Sequence, residues 1–309
     1  MHSQKTAYPL SVWLALIAVY LVWGSTYLAI RFAIESIPPF FMAGTRFMTS
    51  GLILYGLVRW KGTERPTLRH WKSAGVAGFF LLVIANGGVS WAEQRVPSGM
   101  AALLVGTVPL WIALLQWVWK GEARPGWKVW TGIGLGSAGI ALLVFSREGL
   151  GTERADVFSA LLLVATSLAW AWGSLYTRSA ELPSSPLLAT AMEMLMGGAM
   201  QLGVGLLLGE QSRLNLSAIT FHSGGAWIYL TLIGSLVGFT SYIWVLQKAT
   251  PALASTYAFV NPVIAVFLGW LMAGEALTPP VFGAAFLIVA AVVLITMAPA
   301  RKKRTAQHG

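Results

Sequence analysis

Polar residues along this chain gather into short clusters. Between them run stretches of about 20 almost continuously apolar residues, the length an α-helix needs to cross a hydrocarbon core roughly 30 Å thick. Ten such stretches are read, at 11–33, 39–58, 73–92, 98–119, 128–146, 157–177, 187–208, 225–246, 252–273 and 280–298. Their apolar residues are continuous rather than alternating, which excludes a transmembrane β-barrel. The first stretch is too long for a signal-peptide core and lacks an A-x-A-like cleavage site, so it is kept as a span. Short loops leave no room for a soluble catalytic domain.

The pattern is written twice. Trp23-Gly24-Ser25-Thr26-Tyr27 reappears as Trp172-Gly173-Ser174-Leu175-Tyr176. Trp91 and Gln94 recur at Trp244 and Gln247, Pro109 at Pro262, and Gly121-Glu122-Ala123 at Gly274-Glu275-Ala276. Five spans per copy is an odd number, so the second copy must enter the membrane from the opposite side. The expected fold is an all-α integral membrane protein of ten transmembrane helices, arranged as two inverted five-helix repeats at 11–146 and 157–298 with a basic tail at 299–309. Inverted repeats of this kind mark secondary transporters.

Composition agrees with lipid as the solvent. Of the 309 residues 56% are hydrophobic and 10% charged, against about 25% charged in a soluble domain. The absence of cysteine excludes disulfides, thiolate chemistry and cysteine metal sites. A formal charge of +10 invites a nucleic-acid partner, but its distribution argues against one. With the amino terminus placed in the cytoplasm, fifteen of the 21 Lys and Arg fall in inside segments, five outside and Arg46 within a span. This asymmetry obeys the positive-inside rule and predicts that both termini are cytoplasmic (N-in/C-in). The tail Arg301–Arg304 reads as a topological anchor, with acidic headgroups as the alternative partner.

Polarity that survives inside a span is the best functional signal, because each such group costs free energy to insert. Arg46 is the only basic residue well inside a span, and Glu193 the only carboxylate; each lies seven residues after a proline, Pro39 or Pro186. At 1.5 Å per residue each sits about 10 Å from its own face, so in a roughly 30 Å core the two differ by about 10 Å in depth. That argues for two separate inward-facing sites with coupling or gating roles, Glu193 being the group for proton coupling. The alternative is structural, with Arg46 capping carbonyls or snorkelling outward. The two Trp-Gly-Ser-x-Tyr motifs supply Trp23, Ser25, Tyr27, Trp172, Ser174 and Tyr176, donors beside flat apolar faces that suit a pocket for an amphipathic solute. Their alternative is close helix packing through Gly24 and Gly173. Pro109 and Pro262, the latter preceded by Asn261, interrupt the fourth and ninth spans near their midpoints. Paired interruptions in corresponding helices point to a central site. Asn86 and Tyr242 extend the same lining, whereas Gly132, Gly134, Gly136 and Gly139 read as helix packing.

Other chemistries are excluded by what the spans lack. His2, His70, His222 and His308 all lie outside them, and no H-E-x-x-H occurs. The run from Gly121 to Lys128 lacks the Gly-Lys-Ser/Thr ending of a phosphate loop. No acidic ring or carbonyl filter suggests a channel. No cofactor or metal site is expected, and the chain is not expected to be an enzyme.

The ten spans, the Gly-Glu pairs after the fourth and ninth, and the Pro109 and Pro262 neighbourhoods resemble the EamA family of the drug/metabolite transporter superfamily. The run Trp23–Tyr27, Pro38-Pro39 with Arg46, Val96-Pro97-Ser98-Gly99 and Tyr257–Pro262 look closest to its YedA-like inner-membrane permease branch. The resemblance implies alternating access around a cavity lined by spans 1, 3, 4, 6, 8 and 9, with spans 5 and 10 peripheral, and on span 3 it adds Trp91 to the lining. It implies export from a bacterial cytoplasm across the inner membrane, by proton exchange or facilitated release. The expected partners are a small-molecule substrate, the lipid bilayer and protons. Among the small organic metabolites that the family carries, the aromatic-rich lining favours amino acids or amphipathic and aromatic compounds. The readings left beside it are an intramembrane enzyme acting on lipid or acyl substrates and a non-transporting membrane receptor or scaffold.

Overall fold

The computed structural model describes residues 8–119, 125–145, 157–249 and 256–296. The tail at 299–309, including Arg301–Arg304, and the Gly121-Glu122-Ala123 motif lie outside the described residues. Helices occupy the described part of each expected segment, with 146, 252–255 and 297–298 outside the described residues: α1 (Leu10–Ala33), α2 (Pro39–Trp60), α3 (Leu68–Ala92), α4 (Ser98–Val118), α5 (Trp127–Phe145), α6 (Val157–Thr177), α7 (Pro186–Leu207), α8 (221–248), α9 (Tyr257–Ala273) and α10 (Pro279–Thr296). No strand occurs among the described residues. Seven of the helices, α1 to α4 and α6 to α8, are long and apolar enough to cross a membrane, and α9 and α10 contribute shorter apolar runs.

The first helix shows why water is the wrong solvent. Val12, Leu16 and Val19 form a buried stripe on α1, while Leu10, Leu14, Ile17 and Leu21 form an exposed stripe on another face. Both stripes are apolar, so the exposed one faces lipid. Helix starts are fixed locally. Proline opens α2 and α7, where its missing N–H costs nothing, while Thr67, Ser185 and Thr220 cap α3, α7 and α8 with their side chains.

Equivalent helices of the two copies pack against each other in opposite directions. Along α2 and α7, Phe41 lies by Gly205, Gly44 by Leu202 and Gly51 by Leu195. Along α5 and α10, Gly132 faces Ile295 and Gly139 faces Ile288. A Cβ on Gly132 would sit 2.9 Å from the Ala291 carbonyl oxygen, so glycine is what lets these backbones approach. Gly136 meets Leu110 of α4, and Gly134 faces open space. In α4 and α9, Gly99 lies against Val266 and Gly106 against the Pro262 ring.

Two departures from plain helices fall at matching places. α3 is π-helical over Phe79–Gly87 and α8 over Leu230–Val237. The prolines behave unequally. α4 breaks at Gly106 and Thr107, just before Pro109, whereas α9 stays helical through Pro262. At the break the Leu104 carbonyl accepts from the Thr107 N–H at 3.3 Å, Thr107 Oγ1 at 2.6 Å and Ser167 Oγ at 3.0 Å.

Candidate functional site

Between the two halves lies a cavity of about 1550 Å³. It opens between the C-terminal ends of α4 and α6 and the N-terminal ends of α5 and α7, where Trp117, Lys128, Arg178 and Pro183 stand at the mouth. Its size exceeds the roughly 300–1,000 Å³ of an ordinary ligand pocket, as expected of a binding site joined to a vestibule.

One wall is aromatic. Trp23 of α1 has ring contacts with Phe239 (5.2 Å) and Tyr242 (4.9 Å) of α8 and with Tyr257 (5.3 Å) of α9, and all four residues line the cavity. Tyr27, Asn86, Pro109, Ser174, Asn261 and Pro262 line it as well. The Oδ1 atoms of Asn86 and Asn261 are buried without a donor. Arg46 and Glu193 both stand on this cavity, adding α2 and α7 to the lining helices, and the first turn of α5 and Ile295 of α10 reach it too. The two charges do not form an ion pair. Arg46 Nε donates to Ser235 Oγ at 3.0 Å, its guanidinium lies 4.6 Å over the Phe47 ring, and Nη1 is buried without an acceptor. Ser235 is presented by the π-helical turn of α8, where its hydroxyl also donates to the Leu230 carbonyl five residues back, at 3.1 Å.

Four expected lining residues lie elsewhere. Ser25 Oγ is bonded to the Tyr229 hydroxyl at 2.7 Å and to the Val22 carbonyl at 2.9 Å. Trp91 packs on Phe158 and beneath the Arg95 guanidinium. Trp172 stacks on Tyr176 and Trp119, each at 5.3 Å, and on Phe80 at 4.0 Å. The reason is the helical repeat. Residues i and i+4 share a face while i+2 lies opposite, so a Trp-Gly-Ser-x-Tyr motif cannot point all its polar groups one way. On α1 the Trp and Tyr face the cavity and Ser25 turns away; on α6 Ser174 faces it, with Trp170 and Thr177 one turn to either side.

At the end opposite the mouth, carboxylates are seated on helix N-termini. Glu275, just after α9, accepts from the Ser98 N–H at 2.6 Å, the Ser98 hydroxyl at 2.7 Å and the Gly99 N–H at 2.9 Å, at the start of α4. Glu210, just after α7, accepts from the Phe40 and Phe41 N–H groups at the start of α2, at 3.2 and 2.9 Å. At the mouth end Glu64, just after α2, accepts from the Ser184 N–H and hydroxyl beside the start of α7, and these bonds lower its carboxyl below the usual value. Each acid follows a left-handed glycine, Gly62 (φ 80°), Gly209 (φ 72°) or Gly274 (φ 65°), that ends one helix and turns the chain toward its antiparallel neighbour. Glu93, at the end of α3, is buried near Glu275 with both carboxyl oxygens unpartnered. Burial and then the nearby Glu275 raise its pKa well above the ordinary value, with Arg31 opposing. Glu64, Glu93 and Glu210 are not among the residues the sequence pointed to; for Glu64 and Glu210 the recurring glycine followed within two residues by glutamate was the signal, and Glu93 carries none.

Comparison with known proteins bears on what such a site serves. The EamA-like transporter family model matches twice, over residues 10–145 and 157–297. The chain is 39% identical over 285 residues to the inner membrane transporter YedA of Escherichia coli (strain K12), covering 92% of this chain and 90% of that one. It is 24% identical to the transporter YoaV of Bacillus subtilis (strain 168), over 94% of this chain and 99% of the relative. A crystal structure at 20% identity superposes with a TM-score of 0.63 over 94% of this chain and 98% of that chain, a likeness of fold alone.

Proposed function

The chain belongs to the EamA-like transporter family, and from that premise we propose that it exports small organic metabolites by alternating access. All ten helices span the inner membrane of a bacterium as two inverted repeats, 11–146 and 157–298, with both termini and the basic tail in the cytoplasm. On that orientation, which the distribution of Lys and Arg supports, the cavity opens to the cytoplasm and the Glu210 and Glu275 seals face outward.

One observation carries the reading. A cavity lined by both halves reaches the C-terminal ends of α4 and α6, while beyond its other end Glu275 ties α9 to the start of α4 by bonds that a shift of α4 against α9 would release. Its lining combines an aromatic wall with unpartnered polar atoms at Arg46, Asn86 and Asn261, a combination that suits amino acids and amphipathic aromatic compounds. Glu193 stands on the wall with no hydrogen bond or ion pair to any described residue, which leaves its carboxyl free to carry a coupling proton.

The test is efflux of loaded amino acids and small aromatic metabolites from proteoliposomes, with and without a pH gradient. Gradient-dependent flux that Glu193→Gln uncouples, with apparent affinity weakened by Asn261→Ala, is the expected result. Flux indifferent to the gradient removes proton coupling and returns Glu193 to a structural role. Absence of flux for every compound overturns the transport reading for this cargo class.

A further inference from the structure

We infer that Arg46 is the anchor for a carboxylate on the transported molecule, an inference that rests on the transport reading above. Only 3% of Arg46 is exposed. Its guanidinium has five N–H donors, yet the described residues offer it one acceptor, Ser235 Oγ on Nε. Nη1 has none, and among the described residues no carboxylate lies within ion-pair distance. A cation left so far from satisfied in a membrane interior is costly, and an anion supplied by the cargo removes that cost.

The surroundings are built to hold the group still. Phe47 supports one face of the guanidinium, the π-helical turn holds Ser235, and Gly234 leaves room beside it, since a Cβ there would come to 3.4 Å from Nη2. The remaining edge matches the two oxygens of a carboxylate. Glu193 on the same cavity disfavours a dianion, and Phe47, Val89 and Pro262 require an apolar body. The donor-less oxygens of Asn86 and Asn261 call for an N–H on the same molecule. The cargo is therefore an organic monocarboxylate with an apolar or aromatic body and at least one N–H group.

Calorimetric binding to the purified full-length chain in nanodiscs tests this with 3-phenylpropionate, L-phenylalanine and 3-phenylpropionamide. The wild type is expected to bind the two carboxylates roughly ten- to hundredfold more tightly than the amide. Arg46→Gln collapses that ratio toward one by weakening the two carboxylates far more than the amide. Arg46→Lys, which keeps the charge and guards against a folding defect, retains the preference at a reduced ratio. Equal affinity for acid and amide in the wild type, a ratio unchanged in both variants, or binding of no carboxylate probe overturns the inference. Flux of other cargo through such a protein would leave the transport reading standing, so the two failures are distinguishable.

Discussion

Removing the charge of Glu275 should open the sealed end of the cavity. The carboxylate accepts three hydrogen bonds, from Ser98 N–H, Ser98 Oγ–H and Gly99 N–H, at the first turn of α4. Bonds to a charged acceptor are worth about 1.5–3 kcal/mol each against about 0.5–1.5 for neutral ones, and the helix N-terminus adds roughly 0.3–1 kcal/mol for an anion. Glu275→Gln keeps one acceptor oxygen, turns the other into a donor facing an N–H, and loses the charge. Because Glu275 is only partly buried, screening favours the lower end of the range, a loss of about 2 kcal/mol or roughly thirtyfold in the equilibrium between sealed and open. A chain without cysteine gives a clean assay. Ile30, 2% exposed and on the cavity wall, is replaced by cysteine and labelled with a membrane-impermeant maleimide added from outside. The expected result is labelling faster by about tenfold or more in the Glu275→Gln background. Glu210→Gln serves as the control, because α2 and α7 are also tied at their other ends through Glu64 and Ser184. It should lower thermal stability with little change in labelling. Unchanged labelling in a folded Glu275→Gln protein would mean that these three bonds persist in both states and that the seal lies elsewhere.

Trp23→Ala should weaken the apparent affinity for aromatic cargo in the flux assay by roughly tenfold. Trp172→Ala should leave it nearly unchanged, because the ring of Trp172 stacks on Phe80 and Trp119 away from the cavity. Glu93→Gln should raise the thermal unfolding midpoint at neutral pH. The wild-type carboxyl, raised by burial and Glu275, holds its proton when folded at pH values where the unfolded chain has lost it. The folded state then binds more protons, so wild-type stability should fall as pH rises above about 4.3, and the variant's profile should be flatter over that window.

The helices and the repeat were legible because insertion into lipid demands long apolar runs, and those need no tertiary information to recognise. Which face of a helix meets the cavity was not. Trp23 and Trp172 occupy equivalent places in one motif, yet only the former lines the site, a difference set by what packs behind each helix: Ile264 against Gly24, Leu81 and Phe80 against Gly173. The π-helical turns were not legible because Gly87-Gly88 at the end of the first has no counterpart in the second, and the hydropathy pattern runs through both unchanged, though one of them presents Ser235 to Arg46. Helix rise and span length place Arg46 and Glu193 at different depths along the membrane normal, but depth says nothing of azimuth. Both face a single cavity, which is why one vestibule replaces the two separate sites expected.

The capping carboxylates also say which helices can move on an alternating-access reading. Each ties the end of one helix to the start of its antiparallel neighbour, so a helix pair carrying such ties at both ends resists any hinge motion between its members. α2 and α7 form such a pair, held by Glu210 at the sealed end and Glu64 at the mouth. Their glycines at 44, 51, 198 and 205 bring the backbones into contact along the whole length, so separating them would forfeit packing as well as bonds. α4 and α9 differ. Glu275 ties them at the sealed end, while α4 is broken at Gly106 beside Pro262, so its two halves can tilt independently. Motion that opens the sealed end therefore falls on α4 and α9 turning about the Gly106–Pro262 contact, against a fixed α2–α7 post that carries Arg46 and Glu193. Charges that hold cargo or proton on the unmoving pair, with the gate on the other, would keep the site's chemistry constant while its access changes.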